Sequence, residues 1–199
     1  RRMLLTQKAI AEGGRSMIYY AAQLADKMTD ALTRGDQAAF EDYDDKLGFY
    51  TPILKGFLTE LGLEAANHGM QVYGGHGYIK EWGIEQNVRD ARIAMIYEGT
   101  NEIQAIDLLV RKVVSDGAQS LDALLDDLLH SLAAPAKHAP AWQGRVAELR
   151  SLTADILALA GPQPALPYEF ADDYLRALGV VLLEWAWLKI GLAATEGTA

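Results

Sequence analysis

Two carboxylates, Glu98 and Glu102, stand where acid–base chemistry could take place. Glu98 lies between the apolar pair Ile96-Tyr97 and Gly99, at an irregular junction between two predicted helices, and such junctions often carry functional groups. A carboxylate can remove a weakly acidic proton when it is desolvated, because burial disfavours its charged form. The local sequence leaves two interpretations of Glu98 open, a catalytic base and a solvated carboxylate at a helix end. Glu102 lies one turn further along and is either a second candidate or a carboxylate that is favoured by the helix dipole.

A glycine-rich turn provides a second candidate site. Gly74, Gly75 and Gly77 follow a long apolar pattern, and glycines let backbone N–H groups approach an anion such as a phosphate closely. A left-handed helix C-cap followed by a tight turn is the alternative. The turn is not the Rossmann dinucleotide fingerprint, because no strand precedes it and the glycine spacing differs.

The remaining polar residues suggest structural roles. Arg89, Asp90 and Arg92 predict a charge network that holds the turn and the helix together. No metal site is predicted, since the histidines lack the spacing of metal ligands; these are His68, His76, His130 and His138. We interpret His68 as a core histidine with satisfied hydrogen bonds. The chain has no cysteine, which excludes disulfides and thiol nucleophiles and fits a reducing compartment, so we expect a cytoplasmic protein.

Helical periodicity runs through the first part of the chain. One apolar stripe consists of Met3, Ile10, Met17, Leu24 and Ala31, and a second of Leu47, Tyr50, Leu54, Phe57, Leu61, Ala65, His68 and Val72. Arg34-Gly35-Asp36 should separate the two helices. A shorter helix is predicted from Ile84 to Met95, with a surface pair between Glu85 and Arg89. The next helix should be capped by Thr100 or Asn101, with an inner face of Ile103, Ile106, Val110 and Val113.

Beyond Gly117 the chain continues as further amphipathic helices. Their stripes are Leu121, Leu124, Leu125, Leu128 and Leu132; then Trp142, Val146, Leu149, Leu152, Ile156 and Leu159; and finally Leu178, Val181, Trp185, Leu188 and Leu192. Residues 135–140 predict a linker, and Gly161-Pro162 should end the middle helix. No alternating strand pattern of useful length is present. The predicted fold is therefore all-α, a helical bundle in residues 1–115 followed by a helical C-terminal extension in residues 116–199.

Charge and hydropathy exclude some classes of partner. The formal net charge is -9 and the pI is about 4.9, which argues against nucleic acid as the main partner. The apolar stretch from Ala177 to Ala194 is about as long as one membrane span, but Glu184 and Lys189 interrupt it, so we predict a buried helix and no membrane span. The sequence does not begin with methionine, and we expect it to be part of a longer polypeptide.

Residues 71–104, QVYGGHGYIKEWGIEQNVRDARIAMIYEGTNEIQ, resemble the signature of the acyl-CoA dehydrogenase family. The matching pieces are Gln-x-x-Gly-Gly-x-Gly-Tyr, Arg-Asp-x-Arg, Ile-Tyr-Glu-Gly-Thr and Glu-Ile-Gln, in the same order and spacing. The upstream helix pair fits the C-terminal helical domain of the family, with its first helix missing. The tail resembles the extension of the long bacterial members, such as the 3-methylmercaptopropionyl-CoA dehydrogenase branch.

The resemblance implies a flavin enzyme that converts an acyl-CoA into a trans-2-enoyl-CoA. Glu98 would be the base that takes the α-proton, and Tyr97 and Gly99 would contact the substrate. FAD would be the cofactor, contacted by Gln71, Gly74, Gly75, Thr100 and Glu102, and the resemblance implies that the first three touch FAD bound to a neighbouring subunit. It also implies electron transfer to an electron-transfer flavoprotein and a homo-oligomer, a dimer or a tetramer.

Two other functions remain open from the sequence. The chain taken alone could be an inactive helical assembly module, because much of the flavin and acyl pocket in this family lies on polypeptide that is absent here. The intact protein could instead be an acyl-CoA oxidase, which passes electrons directly to oxygen. The run from Tyr97 to Gln104 matches the dehydrogenases best.

Overall fold

The computed structural model describes residues 1–132 and 139–196, and this part of the chain is helical and contains no strand. The all-α prediction is therefore confirmed. The first half consists of α1 (Arg2–Arg34), α2 (Gln37–Val72), the short α3 (Gly75–Tyr78), a 3₁₀ turn (Lys80–Trp82) and α4 (Ile84–Ala94). The second half consists of α5 (Asn101–Ile106), a π-helix (Asp107–Val114), α6 (Gln119–Ser131), α7 (Ala139–Ala160), the short α8 (Leu166–Glu169) and α9 (Ala171–Glu196).

Helices α1 and α2 form a hairpin at the predicted break. Gly35 ends α1 in the left-handed conformation, with φ of 71°, and the carboxylate of Asp36 accepts a hydrogen bond of 3.1 Å from the backbone N–H of Ala39. This N-cap satisfies one of the free donors at the start of α2. Met17 and Leu24 of the predicted stripe are buried between the helices.

Helix α9 packs closely against α1 and α2, although it lies at the other end of the sequence. A Cβ atom on Gly179 would stand 2.3 Å from Cγ of Phe57, and a Cβ on Gly13 would stand 2.6 Å from both Cδ1 of Leu183 and Nε1 of Trp187. The indole of Trp187 donates a hydrogen bond of 3.1 Å to the carbonyl of Ala9. The apolar core is thus continuous across the predicted boundary near residue 116, and the division into two domains stays a prediction.

The inner face of α5 differs from the predicted one. Ile103 is 56% exposed, whereas Ala105, Leu108 and Leu109 are buried together with Val113. The helix continues from α5 into a π-helix, and i→i+5 bonding changes the rotation per residue. Val113 is buried as predicted, but the buried face runs through Asn101, Ala105 and Leu109 at ordinary helical spacing, so Ile103 was assigned to the wrong side.

The predicted charge contacts on α4 are also different. Glu85 and Arg89 form no ion pair in the described part of the chain, and Gln86 instead donates a hydrogen bond of 2.6 Å to Asp90. In the described residues, this hydrogen bond to Asp90 takes the place of the network that was predicted for Arg89, Asp90 and Arg92.

The C-terminal helices follow the predicted stripes in part. The leucine stripe of α6 is buried from Leu121 to Leu132, and α7 ends at Ala160 as predicted. Leu152 and Leu159 are 44% and 41% exposed, so they lie outside the core. Of the predicted linker, residues 135–138, and with them His138, lie outside the described residues, while residues 139 and 140 already belong to α7.

Helix α9 is the one described helix that is long and apolar enough to cross a membrane, since an 18-residue window within Ala171–Ala194 has a mean hydropathy of 1.6. A third of this window is buried inside the fold. Leu178 and Leu182 are fully buried, and Glu184 pairs with Arg145 of α7. These contacts favour a packed helix.

Candidate functional site

Glu98 lies in a tight connection between α4 and α5. Its φ is 55° and that of Gly99 is 88°, so two consecutive residues adopt the left-handed region. This region is uncommon for a residue with a side chain and carries a steric cost. In this chain the Glu98 side chain is exposed. The connection thus presents the carboxylate outward on a constrained turn.

Thr100 and Glu102 form the start of α5. The Thr100 hydroxyl accepts a weak hydrogen bond of 3.5 Å from the backbone N–H of Ile103, which confirms Thr100 as the N-cap. The pKa of the Glu102 carboxyl is lowered, mainly by a hydrogen bond from the backbone N–H of Glu102 and next by one from the Thr100 hydroxyl. The charges of Arg92 and Lys55 act in the same direction. Glu102 is exposed, and these contacts favour its charged form.

Asn101 is a buried polar residue that the sequence interpretation considered only as a cap. Its side chain is 3% exposed and contacts helix α2 through Gly56, Lys55 and Thr59. The backbone N–H of Asn101 also donates a hydrogen bond of 3.3 Å to the carbonyl of Met95. No sequence signal distinguished this amide, because its partners are 42 to 46 positions away.

The glycine turn follows the end of α2. Gly74 has φ of 60° and ψ of -142°, which is a glycine conformation but not the left-handed helical C-cap that the sequence suggested. Gly74 and Gly75 are exposed, and a Cβ on either would meet no atom within 4 Å. Gly77 is different, since its Cβ would lie 2.3 Å from the carbonyl of Met70. The first two glycines therefore leave backbone accessible, and the third serves packing.

The two candidate sites are at separate places along α2. The Glu98 turn is attached to α2 near Gly56, whereas Gln71 and the glycine turn lie at its C-terminal end. With a rise of 1.5 Å per residue, these points are about 22 Å apart along the helix. The chain therefore does not bring all predicted site residues into one pocket. It carries two part-sites, one formed by the Glu98 turn with Thr100 and the other by Gln71 with the glycine turn.

Large apolar side chains are exposed around both part-sites. Near the glycine turn, Tyr78 is 75% exposed and Trp82 is 54% exposed, and near Glu98 the exposed side chains are Ile93, Ile96 and Tyr97. Tyr97 is 52% exposed and therefore lies outside the apolar core. An apolar surface of this kind is typical of a binding or contact face.

The histidine on α2, His68, is partly exposed. The Nε2 atom of His68 lies 3.6 Å from a carboxylate oxygen of Glu64, and its side chain is 27% exposed. The interpretation of His68 as a core histidine is therefore wrong. The apolar stripe of α2 is fully buried only as far as Leu61, and Val72 at its end is 44% exposed.

Comparisons with known proteins give the family. Residues 1–113 match the family described as acyl-CoA dehydrogenase, C-terminal domain. Over the whole chain, 3-methylmercaptopropionyl-CoA dehydrogenase of Ruegeria pomeroyi is 36% identical, and the matched region is 34% of that protein. A butyryl-CoA dehydrogenase of Syntrophomonas wolfei is 32% identical over the whole chain and matches over 33% of its own length. The chain belongs to the acyl-CoA dehydrogenase family and spans about a third of the length of these relatives.

Solved structures have the same fold. The Caenorhabditis elegans protein ACDH-11, in complex with C11-CoA, superposes with a TM-score of 0.72 at 19% identity, covering 94% of this chain and 32% of the other. The apo-form of Bd2924 superposes with a TM-score of 0.66 at 22% identity, covering 92% and 32%. Both matches cover nearly all of this chain, so its C-terminal helices are included in the shared fold.

Proposed function

We propose that the intact protein oxidises an acyl-CoA to a trans-2-enoyl-CoA and that Glu98 is its catalytic base. The observation that carries the proposal is the Tyr97-Glu98-Gly99-Thr100 turn, in which two consecutive left-handed residues present a carboxylate beside exposed apolar side chains. The family of the chain supports a dehydrogenase of acyl-CoA thioesters.

In this proposal Glu98 removes the proton from the α-carbon of the thioester. The exposed ring of Tyr97 lines the acyl or thioester pocket, and Gly99 allows the substrate to approach the backbone. FAD, when bound, supplies the acceptor for the hydride that leaves the β-carbon. Glu98 is exposed in this chain, and we expect polypeptide outside the chain to cover the turn and exclude water from the carboxylate.

The residues available for FAD fit part of such a cofactor. Gly74 and Gly75 leave open space where a Cβ would stand, so their peptide groups can approach a phosphate. Gln71 offers an exposed amide, and Thr100 offers a hydroxyl at the other part-site. Because the two part-sites are separated along α2, each could bind a different FAD molecule. This arrangement requires a homo-oligomer. We further propose that the protein is a dimer or a tetramer in the cytoplasm and that it passes its electrons to an electron-transfer flavoprotein.

The first test of the function uses the full-length protein with its flavin bound. We expect acyl-CoA, added without oxygen, to bleach the flavin absorbance band, and we expect the product to be the trans-2-enoyl-CoA, because proton and hydride leave adjacent carbons. A series of acyl chain lengths gives the substrate range. Flavin that stays oxidised with every acyl-CoA would contradict the proposal. Rapid oxygen consumption without another acceptor would identify the oxidase instead.

The isolated chain should neither bind FAD nor turn over acyl-CoA. Its two part-sites are exposed and separated, so each offers only one side of a binding site. We expect residues 1–199, purified after expression with excess riboflavin, to be colourless, whereas the full-length protein should be yellow. Circular dichroism on the same sample checks that the chain is folded and helical. A folded fragment with a flavin absorbance band would contradict this prediction.

A further inference from the structure

The side-chain amide of Asn101 joins the start of α5 to one turn of α2. Its Nδ2 donates a hydrogen bond of 3.0 Å to the carbonyl of Gly56, and its Oδ1 accepts one of 2.9 Å from the ammonium of Lys55. Buried polar groups are costly unless they are paired. In this amide both the donor and the acceptor side are satisfied, which fixes its orientation.

The hydroxyl of Thr59 is a second, minor donor to the side chain of Asn101. It lies 3.1 Å from Oδ1 of Asn101 and 2.6 Å from the carbonyl of Lys55. A hydroxyl carries one hydrogen and donates to one of these acceptors at a time. Lys55 is therefore the principal donor to Asn101, and this hydrogen bond is strengthened by the charge of the ammonium.

The Glu98 turn is held at its two ends. At its start, the backbone N–H of Tyr97 donates to the carbonyl of Ile93 at 3.2 Å, and at its end Asn101 donates to the carbonyl of Met95 at 3.3 Å. In the part of the chain that the structure describes, only the second end is connected to α2 through side-chain hydrogen bonds, those of Asn101. Glu98 lies three residues before this attachment.

We propose that Asn101 is a positioning residue: its amide, oriented by Lys55, holds the Glu98 turn at a fixed place on helix α2. This inference rests on the proposed function, in which Glu98 must meet the α-carbon of the substrate. A base that is displaced by about 1 Å can lose about 10²-fold in rate, because proton transfer needs close alignment. Asn101 itself is buried and does not touch the substrate.

The test uses the full-length flavoprotein with Asn101→Ala. We expect kcat to fall by about 10- to 100-fold, with unchanged KM and FAD content. We also expect faster hydrogen exchange at the amides of residues 96–101, while those in the centre of α2 keep their rates. Lys55→Met should give a smaller change in the same direction. Gln143→Ala is the matched control, since it removes an exposed amide from α7 and should leave both quantities unchanged.

The outcomes separate a positioning role from a structural one. If Asn101 has only a structural role, Asn101→Ala should have a lower melting temperature but the wild-type kcat at temperatures where the variant is folded. Wild-type kcat in Asn101→Ala, or in Lys55→Met if the first variant does not fold, would overturn the inference. Full turnover in Glu98→Gln would instead remove Glu98 from the role of base, and the hydrogen-exchange comparison would then show whether Asn101 holds the turn without any catalytic consequence.

Discussion

Replacing Glu98 by glutamine in the full-length protein is expected to lower kcat by about 10²- to 10⁴-fold, the usual contribution of a general base. Glutamine has nearly the same shape, so the left-handed turn at this position is retained, but the amide cannot accept the α-proton. Bound flavin and the affinity for acyl-CoA should change little. Stopped-flow measurement of flavin reduction gives the rate of the chemical step directly.

Two other carboxylates provide the comparison. Glu102→Gln tests the other candidate base. We expect this variant to keep the wild-type rate of flavin reduction, because the contacts of Glu102 at the start of α5 favour its charged form. Glu148→Gln changes an exposed carboxylate on α7 and controls for the loss of charge. If Glu102→Gln were inactive and Glu98→Gln active, the base would be Glu102.

Gly179→Ala is expected to lower the free energy of unfolding by about 1–3 kcal/mol, the usual cost of overpacking a core. The added Cβ would stand 2.3 to 2.7 Å from three ring carbons of Phe57, and Phe57 is itself buried. The ring cannot rotate away from all three contacts, so α9 and α2 must separate. Thermal unfolding of the full-length protein, followed by circular dichroism, measures the change.

Gly144→Ala is the matched substitution. Gly144 also lies within a helix, and a Cβ there would meet no atom within 4 Å. Alanine is the better helix former, so this variant should be more stable than the original protein by up to about 1 kcal/mol. Equal melting temperatures for the two variants would show that α9 does not pack on α2 in the way described.

The helical layout could be predicted from local sequence because its signals are local. Gly35 and Asp36 mark the α1–α2 break, and the predicted helix from Ile84 to Met95 differs by one residue from α4. Ile103 was assigned to the wrong face because two apolar stripes of helical spacing overlap here, and which of them is buried depends on tertiary packing. The exposure of Leu152 likewise depends on which helices are neighbours.

The candidate site was predicted less completely than the fold. The motif named Glu98, Thr100 and the glycine turn, and the structure adds that these lie on two separated part-sites. Asn101 could not be found in this way, because its partners Lys55 and Gly56 are distant in sequence and its role depends on burial. Long-range polar contacts of this kind follow from tertiary packing and have no local signature.

The close crossing of α1 and α9 ties residue 13 to the C-terminal segment in evolution. Leu183 and Trp187 occupy the space that any side chain at residue 13 would need, and the indole also holds the backbone of Ala9. Family members built without such a segment should be free to vary at the position equivalent to Gly13. Members that carry it should show coordinated substitution, with a larger residue at position 13 accompanied by smaller ones at positions 183 and 187.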